Sequence, residues 1–395
     1  MRVITGLERL SNELKLQQAV KGNIAYLCHA ASIDSKYRLG VFHLQKIFGN
    51  RLKMLIGPQH GIMCDLQDNM QESEHTTHPF FKLPVISLYS ETRAPTDQML
   101  QGIDTIIVDL QDVGCRVYTY INTMTLVMEA AGRLNIDVVV LDRPNPVGGA
   151  VIEGNILKEQ FCSFVGRHPI PMRHGLTIGE MAHLAQTHFG SKCNLNVIPM
   201  EGWQRKMIFC QTGLPWVLPS PNLPTTSGAL IFSGTVLFEG TNISEGRGTT
   251  RSLEIIGHPK IEPYQLLANL EKMFAAADLR GFTLRPLNFL PTFQKHQGVP
   301  CGGFQIHPTD PQVFRPWRVG QMLLKALYHH LGSEFAWNQH PYEYEYDQLA
   351  IDLINGDSCL RQWVEQDQDF DQLVALEQRG REEYLSQQQE AIIYR

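Results

Sequence analysis

The chain has 395 residues, enough for two or three domains with cores of their own, and an ordinary globular composition: 43% hydrophobic, 19% charged, net charge −6. The mild acidity and the lack of a basic block argue against nucleic acid and against an anionic membrane as partners. No apolar run approaches a membrane span, no signal-peptide core is visible at the N-terminus, and the eight scattered cysteines include no CxxC pair, so a cytoplasmic protein with reduced thiols is expected.

Strand and helix signals alternate through the first half. Asn23 to Cys28 is a short apolar run ending at His29, followed by a helical spacing of Leu39, Phe42 and Ile47. Leu52 to Ile56 reads as a second strand, ending at Gly57-Pro-Gln-His-Gly61. Asp104 to Asp109 and Asp137 to Leu141 are β-branched and apolar, as strands buried on both faces are, and Met124, Val127 and Met128 mark a helix between them. Thr177-Ile-Gly-Glu180 has the form of a capping box opening another helix, and Asn196 to Pro199 closes the series. This alternation predicts a mainly parallel sheet covered on both faces.

Polar residues cluster just after the strands: His29, Gln59 with His60, Asp109 with Gln111 and Asp112, Asp142 with Arg143 and Asn145. Ligands of open α/β sheets bind beyond the carboxyl ends of the strands, so four strands delivering polar groups to one edge predict a site there. Singly, each has a plainer reading: Asp109 or Asp142 suits a helix cap, and His29 or His60 a hydrogen-bonded structural histidine.

The proline-rich stretch Leu214 to Thr225 marks a boundary between residues 1–222 and 223–395. Beyond it an apolar run, Ala229 to Phe238, reads as a strand leading into Phe238-Glu-Gly-Thr-Asn-Ile-Ser-Glu-Gly-Arg-Gly-Thr-Thr-Arg251. That segment packs Glu239, Asn242, Glu245, Arg247 and Arg251 among glycines, poor material for a core but suited to a loop that holds a polar ligand. Tyr264, Leu267 and Leu270 predict a helix, Gly281 to Leu284 and Cys301 to His307 strands, and Val319 to Leu327 a further helix. The Glu- and Gln-rich tail from Phe370 to Ile393 is most simply a surface helix. A cleft between two α/β regions is the expected site.

No GxGxxG follows the first strand and no phosphate-binding GxxxxGK[ST] loop exists, so no nucleotide cofactor is expected. His75 and His78, with Glu74 beside them, have a spacing that reaches a metal from a helix, yet no further obvious ligand is evident and no metal is expected. What is left is Asp and Glu beside Arg, Asn and tyrosines such as Tyr118 and Tyr120, which suits sugar binding and glycoside hydrolysis by paired carboxylates.

The segments Gly57-Pro-Gln-His-Gly61, Leu83 to Tyr89, Asp109 to Tyr120, Asp142-Arg-Pro-Asn-Pro146, Gly213 to Asn222, Phe238 to Thr249 and Cys301-Gly-Gly follow one another in order. Together, over roughly residues 20 to 350, they resemble the family first called domain of unknown function 1343 and now the NamZ exo-β-N-acetylmuramidases. The resemblance implies a doubly wound Rossmann-like N-terminal domain, a smaller α/β C-terminal domain and an active-site cleft between them. It also implies removal of N-acetylmuramic acid from the non-reducing end of peptidoglycan fragments without metal or cofactor. Gln59 and His60 then occupy the catalytic corner, with Asp109 and Glu245 as acid, base or charge-stabilising groups. Arg116, Arg143 and Arg247 are candidates to grip the lactyl carboxylate or, equally, to form structural ion pairs. Asn145, Asn242, Tyr118 and Tyr120, with Asp142 and Glu239, would bind the sugar, and Glu153 would buttress a nearby loop.

One position departs from the pattern: the family's Pro-Glu-His-Gly carries its proposed acid where this chain has Gln59. An amide cannot donate and recover a proton near neutral pH. Either another carboxylate takes over (Glu72, Glu74, Glu91, Asp109, Glu239 or Glu245), or the chain binds muropeptides or amino sugars without hydrolysing them.

Overall fold

The computed structural model describes residues 2–64 and 75–395. Strands β1 (Ile24–Cys28), β2 (Leu52–Gly57), β3 (Thr76–Thr77), β4 (Pro84–Ser87), β5 (Thr105–Asp109) and β6 (Asp137–Leu141) precede a small antiparallel pair, β7 (Glu153–Ile156) with β8 (Pro171–Arg173), and then β9 (Asn194–Ile198). The first six and β9 form one sheet in the order β3-β4-β2-β1-β5-β6-β9, parallel except at β3. Without that edge strand, the parallel strands run third, second, first, fourth, fifth, sixth in chain order. This is the Rossmann arrangement, with its switch point between β1 and β5.

Both faces are covered, which is why β1 and β5 are buried along their whole length. Leu7, Leu10, Leu44 and Phe48 pack on one face. Met124, Val127, Met181 and Leu184, from helices Tyr120–Arg133 and Ile178–His188, pack on the other. The capping box at Thr177 forms as its spacing predicts, with Thr177 accepting from the Glu180 N–H and Glu180 from the Thr177 N–H.

The second half carries a three-stranded antiparallel sheet of β10 (Ile255–His258), β11 (Phe282–Phe289) and β12 (Cys301–Pro308), with β12 central. Helices Pro263–Ala276 and Thr226–Thr235 pack on it, and Pro316–Leu331 packs on both of those helices. Its apolar residues, Phe304 and Leu323 among them, belong to the same core cluster as Met124 and Val127 of the first half.

Two sequence expectations fail here. The run from Ala229 to Phe238 is not a strand: helix Thr226–Thr235 opens with Thr225 accepting from the Gly228 N–H, and a 3-10 turn follows over Val236–Gly240. A helix buried on every face shows no amphipathic period, so its composition mimics a central strand. Gly234 explains the close packing, since a Cβ there would stand 2.0 Å from the Pro316 carbonyl oxygen. The tail, in turn, is two helices, Phe370–Gln378 and Arg381–Ala391, broken at Gly380 where φ is +71°. They lie against the first half: Glu377 accepts from the Gly154 N–H, and the Tyr394 hydroxyl donates to Asp142 and accepts from the Met200 N–H. Among the described residues no helix is long and apolar enough to cross a membrane.

Candidate active site

Beyond the carboxyl ends of β2 and β5, on the switch-point side of the sheet, lies a small cavity of about 50 Å³, partly open to solvent. Gln59, His60, Tyr118, Thr119 and Tyr120 form its wall from the first half, Ser220 and Asn222 come from the proline-rich connection, and Glu239, Arg247 and Tyr342 from the second half.

Gln59 and His60 sit in the turn after β2, where His60 and Gly61 both adopt left-handed φ, +69° and +74°. The Gln59 amide is held at both ends: Thr119 Oγ1 donates to Oε1 at 2.6 Å, and Nε2 donates to Glu343 Oε1 at 3.2 Å. Tyr89 Oη donates to the other Glu343 oxygen at 2.6 Å. Glu343 and Tyr344 are the central residues of a tight turn closed by reciprocal Tyr342–Glu345 backbone bonds. Their φ values, +47° and +70°, fit a type I′ turn, which ordinarily takes Asn and Gly. Each such conformation costs a bulky residue about 1–2 kcal/mol, so this turn is strained, and the strain places a carboxyl against Gln59. Burial pushes the Glu343 carboxyl above its usual range and the nearby Glu239 charge adds to this, against the opposing bonds from Tyr89 and Gln59.

Glu239 is held differently. Arg247 Nη2 donates to its Oε1 at 2.6 Å and Tyr342 Oη to its Oε2 at 2.6 Å. Arg247 Nε stands 3.1 Å from Glu245 Oε1, while Lys295 Nζ reaches the other Glu245 oxygen at 2.8 Å. Burial alone would raise the Glu245 carboxyl, but the Lys295 and Arg247 charges hold it below the ordinary value. Glu245 thus anchors Arg247 from behind the wall. Arg247 Nη1 makes no hydrogen bond among the described residues, although the residue is 5% exposed and lines the cavity. A buried guanidinium donor without a partner, on a side chain that lines the cavity, is suited to an anionic ligand group.

Of the residues singled out in the sequence, Gln59, His60, Tyr118, Tyr120, Glu239 and Arg247 therefore converge on the cavity, and Glu245 stands behind it. The others do not. Asp109 is a fully buried partner of Arg143 and accepts from Tyr26 Oη at 2.6 Å, while Arg143 also donates to the Ile33 carbonyl. Asp142 accepts from the Gly179 and Arg143 N–H groups, Thr177 and Tyr394, and so caps the helix that begins at Ile178. Asn145 closes its own loop through Leu176 and Val147. Arg116 donates to four carbonyls, of Asn155, Ile170, Ile354 and Asn355, and stitches the two halves together. Asn242 braces the Glu334–Ala336 backbone. Asp109, Asp142, Arg143 and Asn145 are expected at the ligand from their strand-end positions and Arg116 and Asn242 as sugar-binding candidates, whereas these hydrogen bonds all go to protein.

His29 is buried behind Tyr120, its Nε2 accepting from the Gln111 N–H; burial and the Arg143 charge lower it to about 3, so it stays neutral. Glu153 pairs with Arg173 at 3.3 Å as the expected buttress. His75 and His78 each spend Nδ1 accepting backbone N–H groups, and no cluster of metal-ligating side chains exists among the described residues. Glu91 is exposed, and Glu72 and Glu74 lie outside the described residues.

Sequence reasoning missed Glu343, Tyr342, Thr119 and Ser220. The only local sign was Tyr342-Glu-Tyr344-Glu-Tyr346, a run of tyrosine and glutamate between longer elements. Ser220, whose hydroxyl bonds His60 Nε2 at 3.2 Å, lay inside a stretch read as a linker.

Comparison with known proteins is consistent along the whole chain. Family models described as exo-β-N-acetylmuramidase NamZ match residues 24–227 for the N-terminal part and 230–394 for the C-terminal part. The peptidoglycan β-N-acetylmuramidase NamZ of Bacillus subtilis is 37% identical over 395 residues, all of this chain and 92% of that protein. Two crystal structures of DUF1343 family proteins from Bacteroides fragilis superpose on the whole chain and 99% of their own, with TM-scores of 0.87 at 28% identity and 0.75 at 25% identity.

Proposed function

Because the chain belongs to the NamZ exo-β-N-acetylmuramidase family, we propose that it is a glycoside hydrolase that releases N-acetylmuramic acid from the non-reducing end of peptidoglycan fragments. The observation that carries this reading is the cavity in which a carboxylate, Glu239, an arginine with a free donor, Arg247, and the rings of Tyr118 and Tyr120 meet.

The chemistry follows from the placement. N-Acetylmuramic acid differs from N-acetylglucosamine by a lactyl carboxylate, and Arg247 Nη1 is the buried cationic donor that recognises it. Tyr118 and Tyr120, edge-on to each other at 4.7 Å between centroids, offer flat apolar surface to a sugar face. Glu239, fixed by Arg247 and Tyr342, supplies negative charge beside the anomeric carbon as positive charge develops there. Gln59 is a rigid amide braced by Thr119 and holds a carboxyl or a substrate group rather than a proton. Action on imported fragments in the cytoplasm belongs to the same reading and is supported by eight cysteines of which none forms a disulfide among the described residues.

The test is incubation with two disaccharides, N-acetylmuramic acid β-linked to N-acetylglucosamine and the reverse order, with mass-spectrometric detection of products. Release of N-acetylmuramic acid from the first and none from the second is expected. Cleavage of neither, or of both equally, would overturn the reading.

A further inference from the structure

Gln59 leaves this hydrolase without a proton donor at the place where the family pattern has a glutamate, and the cavity resolves the problem in an unexpected part of the chain. We propose that Glu343 is the acid that protonates the glycosidic oxygen. The inference rests on the hydrolase reading above and adds to it the identity of the donor.

Two observations carry it. Glu343 is the carboxyl that touches the Gln59 amide, at 3.2 Å, and its neighbour Tyr342 lines the cavity together with Gln59. It is delivered by two consecutive non-glycine residues with left-handed backbone, a conformation that persists only where surrounding structure enforces it, and such outliers gather at working sites. The surroundings enforce it visibly: Arg93 lies over the rings of both Tyr89 and Tyr344, 4.2 and 4.3 Å from their centroids, and so clamps the turn to the first half.

Glu239, which lines the cavity, and Glu343, which stands against Gln59 and Tyr89, also sit in opposite environments. Glu239 has an arginine partner at 2.6 Å; Glu343 forms no ion pair among the described residues and is 4% exposed. Burial, with the Glu239 charge, raises the Glu343 carboxyl above the usual range against the opposing Tyr89 and Gln59 bonds and the Arg93 charge. Pairs of carboxyls driven apart in this way divide into an acid and a charge-stabilising partner.

The step balances with water alone. Glu343 gives its proton to the bridging oxygen as the C1–O bond breaks and the bonding electron pair goes to that oxygen. The Glu343 carboxylate that results is met by two donors already in place, Gln59 Nε2 and Tyr89 Oη. One water adds at C1, and the proton it releases restores the Glu343 carboxyl, directly or through solvent. Gln59 is then a positioning residue.

The experiment compares two leaving groups. Native protein, Glu343→Gln and Glu343→Gly are assayed on a 4-nitrophenyl β-glycoside of N-acetylmuramic acid, whose phenolate leaves unaided, and on the muramyl disaccharide, whose alkoxide needs a proton. Glycine accepts the left-handed φ at 343 without strain, so that variant keeps the folded protein available if Glu343→Gln does not. Loss of about 10²–10⁴-fold on the disaccharide, the usual contribution of a positioned acid, with a much smaller loss on the nitrophenyl glycoside, is expected. Added formate should restore disaccharide cleavage to Glu343→Gly. Equal losses on both substrates without formate rescue, or no loss on either, would overturn the proposal while leaving the hydrolase intact. A native protein inactive on both substrates would instead overturn the hydrolase reading itself.

Discussion

Gln59 and Glu343, 284 residues apart in the chain, meet through one hydrogen bond in which the amide nitrogen donates to the carboxyl oxygen at 3.2 Å. The bond ties the turn after β2 to a strained turn of the second half, and it decides which group at this corner carries a proton.

Replacing Gln59 by glutamate puts two carboxyls at hydrogen-bond distance in a buried place. They cannot both ionise readily, so the pair shares a proton, and its second ionisation moves to higher pH. The Gln59→Glu variant is therefore expected to extend activity to more alkaline pH than the native protein. Profiles of kcat/KM against pH on the muramyl disaccharide check this; superimposable alkaline limbs would show that positions 59 and 343 do not interact.

Glu343 should also leave a mark on stability. Its folded-state carboxyl is raised above the ordinary value of 4.5, so the folded protein keeps a proton that the unfolded chain gives up. Stability then falls as pH rises from about that ordinary value through the raised one, and is unaffected below it. Relative to the native protein, Glu343→Gln should have little advantage in Tm near pH 4 and a growing one toward neutrality. A constant difference across that window would contradict the assignment.

The arginines separate by role. Arg247→Met removes the free donor of the cavity, so discrimination between muramyl and glucosaminyl substrates should collapse by about 10- to 100-fold, the value of one charged hydrogen bond. Arg116→Met strands four carbonyls between the halves, each a buried group costly to leave unpaired. It should lower Tm sharply and leave the discrimination ratio of the surviving protein unchanged. Steady-state kinetics on both sugars, with thermal melts, distinguish the two.

The sheet was legible because its strands are buried on both faces, a condition written into Thr105 to Asp109 and Asp137 to Leu141 as uninterrupted β-branched runs. The same logic misled at Ala229 to Phe238, where a helix without a solvent face has the same composition. Within the site, the turn after β2 and the Glu239–Arg247 segment could be read locally, since charged residues among glycines mark them. Asp109, Asp142 and Arg116 stand in equally promising places, and only the fold shows that they bond to protein groups away from the cavity. Glu343 carried no local mark, because what brings it to Gln59 is the packing of a turn against Tyr89 and Arg93 of the other half.

Tyr394 tests the structural reading of Asp142. Its hydroxyl donates to that carboxylate and accepts from the Met200 N–H, joining the end of the chain to the sheet edge. Tyr394→Phe should cost about 1–3 kcal/mol, as buried hydrogen-bonded groups do, and leave KM for the muramyl substrate unchanged. A raised KM with unaltered stability would put Asp142 back among the ligand-binding residues.

The most direct test of the central claim uses purified native protein beside Gln59→Glu, each with a chromogenic N-acetylmuramic acid β-glycoside and its N-acetylglucosamine counterpart. The native protein is expected to cleave the muramyl glycoside and spare the other, which would establish an active muramidase whose proton donor is not residue 59. Inactivity of the native protein on the muramyl glycoside, with activity appearing only in Gln59→Glu, would contradict it and leave a sugar-binding scaffold without its acid.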